Sequence, residues 1–221
     1  MADITLARKK ELEEQDPFLE FINKGLELFK KYKVQIIAGL ISVLVVWFSV
    51  VYYINFTKTQ EANGFEALQQ VTASLSKIEK KDAKKTFETA QTGYNKVIND
   101  FGGTVAGKMA MVQLGDLCFK EKKYDNAIEL YKKALDGFSG TSLENLVLSS
   151  LAITYEQKKD FKNAELTFQT IIAGESSYKK DEAYFHLGLL YENQEKAKES
   201  KEMFSKIEKI SVYYKFIQEK L

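Results

Sequence analysis

The chain has 221 residues, and its 32 lysines and arginines nearly cancel its 31 aspartates and glutamates. That balance leaves no electrostatic footprint for a nucleic acid. One cysteine, Cys118, excludes an intramolecular disulfide, and with a single histidine, His186, there is no credible metal cluster or Cys/His nucleophile pair.

Residues 1–15 are polar, charged and expected to be disordered. Asp16-Pro17 then reads as an N-cap followed by a proline in the first helical turn. Phe18, Phe21, Ile22, Leu26 and Phe29 recur at helical spacing with charges between them. They predict either an amphipathic helix on the cytoplasmic leaflet or a plain continuation of the helix that follows.

Residues 34–56 form an apolar run without a charged side chain. As a helix it reaches about 34 Å, against a bilayer core of about 30 Å. Trp47, Tyr52, Tyr53 and Asn55 gather at its far end, where amphipathic rings favour the headgroup region. A buried core helix is usually shorter, and a cleaved signal peptide has a shorter apolar stretch and a small-residue cleavage site, so the run reads as an uncleaved anchor. Lys24, Lys30, Lys31 and Lys33 precede it, and only Lys58 follows at a comparable distance. By the positive-inside rule residues 1–33 are a cytoplasmic stub, residues 34–56 a single transmembrane helix and residues 57–221 lie across the membrane. In a bacterial inner membrane that is the periplasm.

Beyond the span there is no proline, and the apolar periodicity is helical throughout. Three segments align without gaps: MVQLGDLCFKEKKYDNAIELYKKAL, LSSLAITYEQKKDFKNAELTFQTII and YFHLGLLYENQEKAKESKEMFSKI. Their first residues, Met111, Leu148 and Tyr184, lie 37 and 36 positions apart. Each segment carries two helices. In the first, Leu114-Gly115, Leu151-Ala152 and Leu187-Gly188 are followed one turn later by Cys118, Tyr155 and Tyr191. In the second, small Ala127, Ala164 and Ser200 precede Tyr131, Phe168 and Phe204, then Ala134, Ile171 and Ile207. Small residues admit close helix approach and the aromatic rings fill the space between units.

This grammar resembles the tetratricopeptide repeat, with longer turns and with Ser139, Ser176 and Val212 in place of the closing proline. Ala90, Tyr94 and Val97 reproduce the second-helix spacing, so residues 82–101 read as the second helix of a degenerate first repeat. Its first helix covers residues 57 to about 80, continuing the membrane helix. Val212, Tyr213, Phe216 and Ile217 predict a C-terminal capping helix. The fold class is therefore all-α: one N-terminal transmembrane helix, then a tetratricopeptide-repeat-like solenoid of one degenerate and three further repeats with a cap.

Signals for catalysis are sparse. Residues 102–108, GGTVAGK, match G-x-x-x-x-G-K, but a phosphate loop needs Ser or Thr next and a strand before it. Met109 follows and a helix precedes, so the glycines read as a turn. His186 reads as structural. No enzyme, cofactor, metal or small-molecule substrate is expected. What remains is a concave surface lined by the first helices. Repeat register places Val112, Asp116, Phe119, Ser149, Ile153, Glu156, Phe185, Leu189 and Glu192 along a protein-binding groove.

The stub, the anchor and the degenerate-plus-three repeats together resemble the YfgM family, the ancillary subunit of the bacterial Sec translocon. The carrying stretches are FINKGLELFKKYKVQIIAGLISVLVVWFSVVYYIN, with Gly39, Trp47 and Tyr52, and FGGTVAGKMAMVQLGDLCFKEKKYDNAIELYKKAL. The resemblance covers most of the chain. It implies an inner-membrane protein with periplasmic repeats, partnered with the translocon and with a membrane-anchored periplasmic chaperone of the PpiD type. An adaptor in envelope assembly or cell division, and an organelle import receptor with cytosolic repeats, stay open beside it.

Overall fold

The computed structural model describes residues 17–78 and 83–220. The polar segment 1–15, the Asp16 cap and residues 79–82 of the expected first hairpin lie outside the described residues, and the helix expected to reach about residue 80 ends at Ser76, with a turn at residues 77–78. The described residues are helical, joined by short turns: α1 Pro17–Ser76, α2 Ala83–Phe101, α3 Val105–Lys120, α4 Tyr124–Leu135, α5 Ser142–Gln157, α6 Phe161–Ala173, α7 Lys180–Asn193, α8 Ala197–Ser205 and α9 Tyr214–Ile217, then a 3-10 turn Gln218–Lys220. They divide into two compact units, Met1–Thr57 and Lys58–Leu221.

The described residues of the first unit are helix. It has one break in helical geometry, at Tyr32 (φ −112°, ψ 16°), between the basic amphipathic stretch and the apolar run. Its apolar window has mean hydropathy 2.5 and none of it is buried. Val34, Trp47 and Tyr52, for example, remain exposed. Such a helix is long and apolar enough to cross a membrane.

The second unit is a stack of helix hairpins. The dominant contacts join consecutive helices from α2 to α8, and α3 also touches α5. The final turns of α1 meet α2 where a Cβ on Gly93 would lie 2.8 Å from Val71 Cγ1. Ala90, Tyr94 and Val97 are buried at that junction, which makes it the degenerate first hairpin. The pairs α3/α4, α5/α6 and α7/α8 are the three repeats. One apolar core runs through the repeats, and a smaller cluster of Phe204, Ile207 and Ile217 closes the end.

The repeat signature maps onto packing. Ala127, Ala134, Ala164, Phe168 and Ile171 are fully buried. A Cβ on Gly115 would lie 2.7 Å from the Tyr131 ring, and one on Gly188 would overlap the Phe204 ring. In the α3/α4 and α7/α8 hairpins the small residue of the first helix is thus the seat of the aromatic ring of the second. A Gly188→Ala change overpacks that seat and is expected to cost about 1–3 kcal/mol of stability, seen as a lower urea midpoint in far-UV circular dichroism.

Each hairpin also turns in the same way. Lys122, Lys159 and Glu195 take left-handed φ of 59°, 65° and 60° just after α3, α5 and α7. The next amide donates back to the carbonyl of Cys118, Tyr155 or Tyr191 at 2.8–2.9 Å, and the left-handed residue itself donates to Phe119, Glu156 or Glu192. These paired bonds define a Schellman ending, which satisfies orphan carbonyls and reverses the chain.

The longer inter-repeat turns are tied down without proline. Gly140 uses φ +72° and its amide donates to Glu144. The buried Asn145 side chain donates to the carbonyls of Ser176 and Tyr178, fastening the α6–α7 loop to α5. The cap is one short helix and one 3-10 turn, with Ile217 fully buried and Ile210, Val212 and Phe216 exposed.

Candidate protein-binding groove

Four of the nine groove candidates come together around one carboxylate. Val112 and Asp116, with Met109, Gln113, Phe138 and Leu146 among others, line an apolar hollow of about 220 Å³. Asp116, Phe119 and Ile153, with Lys120, Tyr131 and Ser150, line a second of about 220 Å³. Asp116 belongs to both. Its side chain is held by Tyr131, whose hydroxyl donates to Oδ1 at 2.7 Å. The Tyr131 ring is buried, and burial together with the acceptor Asp116 drives the phenol's pKa upward, so it stays a donor.

The second repeat's other candidates are engaged internally. Ser149 is buried, and its hydroxyl donates to Glu182 Oε2 at 2.6 Å. Glu156 Oε2 lies 2.8 Å from Nδ1 of His186, whose ring stacks on Phe168 with centroids 5.1 Å apart. His186 thereby joins α5, α6 and α7.

On the third repeat the C-terminal stretch lies over the candidate positions. The Phe185 ring meets Tyr213 at 5.0 Å and Phe216 at 6.2 Å. Leu189 packs in the same cluster. Glu192 accepts a bond from Lys220 Nζ at 2.6 Å, and Glu182 accepts one from the Tyr213 hydroxyl at 2.8 Å. The open part of the groove therefore belongs to the first two full repeats.

Register alone did not select Tyr131, Lys120 or Ser150. Tyr131 reads as a core ring, and only the 2.7 Å bond to Asp116 shows that its hydroxyl reaches the groove. The glycine motif is a turn and a helix cap. Thr104 caps α3 by accepting from the Gly107 amide, the Val105 amide donates to the Glu61 carboxylate, and Lys108 Nζ donates to the carbonyl of Lys133 at 2.8 Å. The Val105 and Gly107 amides and the lysine that would reach a phosphate thus already have partners within the fold. Among the described residues no group of three or more His, Cys, Asp or Glu side chains is placed to hold a metal ion.

A family model for the tetratricopeptide repeat-like domain matches residues 27–213. The chain belongs to that family. Tetratricopeptide repeat-like domains are generally non-enzymatic scaffolds for protein–protein interaction. Among solved structures, a tetratricopeptide repeat protein from Parabacteroides merdae ATCC 43184 is similar with a TM-score of 0.57 and 16% identity. The match covers 70% of this chain and 59% of that one, and at this identity it speaks to the tetratricopeptide repeat fold alone. No curated protein matches the chain.

Proposed function

We propose that this protein is a non-enzymatic scaffold anchored in the bacterial inner membrane by residues 34–56, with its tetratricopeptide repeats in the periplasm. It binds a membrane-anchored periplasmic chaperone and the Sec translocon, and so assists the handling of newly translocated proteins. The observation that carries the reading is the pairing, in one chain, of a wholly unburied apolar helix with a repeat groove whose apolar hollows stand open around Asp116. The lysines before the span, Lys24, Lys30, Lys31 and Lys33, support the orientation. Tethering raises the local concentration of partners, so modest groove contacts suffice.

Site-specific photo-crosslinking in native membranes tests the partners. A photoreactive residue at Phe119 or Ile153 is expected to trap a translocon subunit or a periplasmic chaperone, and one at Phe185, beneath Tyr213 and Phe216, to trap far less. If Phe119 and Ile153 trap only cell-division or outer-envelope proteins, the translocon assignment fails. Protease protection of residues 57–221 in intact cells tests the topology, and digestion there would favour repeats facing the cytosol.

A further inference from the structure

The carboxylates along the groove are not equivalent. Glu182 is met by Lys179 at 2.8 Å, Glu156 by His186, and Glu192 by Lys220. Asp116 has the Tyr131 hydroxyl but no ion pair among the described residues, and it is the one that stands between the two open apolar hollows. The protein's own C-terminal stretch shows what such a surface takes. On the third repeat, Tyr213 and Phe216 lay rings on Phe185, Ile217 is fully buried, and Lys220 meets Glu192. Aromatic or aliphatic anchors and a lysine placed on a first-helix carboxylate are the occupant there.

The geometry points to the same chemistry for the open groove: its occupant is a protein segment with apolar side chains on either side of one lysine or arginine, the cation seated on Asp116 and the apolar side chains in the two hollows. This rests on the groove being the binding surface, and it names what the partner must carry. Lys120 lies exposed at the rim of the hollow that holds Phe119 and Ile153, so it disfavours a strongly basic segment and sets the demand at one cation rather than several. An acidic segment would face Asp116 across an apolar wall, where repulsion is little screened.

The test uses the full-length protein in detergent micelles and three short, amidated, fluorescent peptides. Each has leucines flanking one central residue, which is lysine, glutamine or glutamate. Fluorescence anisotropy is expected to rank them lysine, glutamine, glutamate, with about tenfold between the first and the last. Asp116→Asn keeps an acceptor for Tyr131 and so preserves the fold. It is expected to bring the lysine peptide down to the glutamine peptide, so that the preference for the cation is lost. Ile153→Ala is expected to weaken all three. Equal binding of the three peptides, or an Asp116→Asn protein that keeps its preference for lysine, overturns the inference while leaving the groove reading intact. If Ile153→Ala changes none of them, the groove reading falls as well.

Discussion

Replacing Phe168 with alanine is expected to remove about 3–5 kcal/mol of stability, among the largest losses any single truncation in this chain can cause. The ring is fully buried in the second helix of the middle repeat. It lies in the same apolar core as Ala152, the small residue of its own hairpin, and stacks on His186 of the next one, 9° from parallel. Truncation leaves a cavity between three helices that are themselves held in register by neighbouring turns, so little collapse is available to fill it. It also removes the surface against which His186 is set for Glu156. Urea titration of the full chain in micelles, followed by far-UV circular dichroism, measures the loss. Phe161→Ala, at the exposed start of the same helix, is the comparison and is expected to stay within about 0.5 kcal/mol.

The second large effect is expected at Glu182. This carboxylate is nearly buried and gathers three donors from three places: Ser149 on α5, Lys179 before α7 and Tyr213 in the C-terminal stretch. Burial alone would raise its pKa. The bonds from Lys179, Ser149 and Tyr213 outweigh burial and hold it below the ordinary glutamate value. Glu182→Ala strands those donors, of which Ser149 is buried, and is expected to cost on the order of 3 kcal/mol at neutral pH. The sign with pH follows from the lowered value. The native state holds the charged form more firmly than the unfolded chain does, so its contribution is complete above the unfolded glutamate pKa. It fades as pH falls through that value and through the lower folded one. The stability gap between the parent and Glu182→Ala is therefore expected to be widest at pH 7 and to narrow below about pH 4. Hydrogen exchange gives a local readout. Amides of residues 211–217 are expected to lose protection in Glu182→Ala, because Tyr213 is what the carboxylate holds down.

The repeats were legible because their signals are local and recur. Leu114-Gly115 and Tyr131, or Leu187-Gly188 and Phe204, state a spacing that only close-packed helix pairs satisfy, and those residues meet as the spacing requires. The long apolar helix was legible for a simpler reason, since residues 34–56 hold no charged side chain and nothing in them breaks a helix. The hairpin turns were harder to read. Lys122, Lys159 and Glu195 carry left-handed φ where glycine would announce itself, and a basic or acidic residue there gives no such notice. The groove depends most on what stacks beside each helix. Ser149 and Val112 share a register position, yet Ser149 is covered by Glu182 whereas Val112 lines an open hollow. Likewise nothing in the spacing of Phe185, Leu189 and Glu192 says that the chain's own last residues lie on them. That arrangement follows from a cap of one helical turn, short enough for Tyr213 and Lys220 to reach back to α7.

The pattern of helix contacts has a consequence for how the chain acquires its structure. Because consecutive helices supply the dominant contacts, each hairpin needs little from residues more than one repeat away. Topologies of this kind close short loops and fold fast. A repeat unit can then order as soon as its neighbour toward the N-terminus is in place, while later helices are still being delivered. The ring of Tyr131 finds Gly115 within its own hairpin, and Phe168 waits only for His186. Structure can therefore be gained repeat by repeat as the chain is delivered, and the Lys220–Glu192 pair joins residues that arrive 28 positions apart.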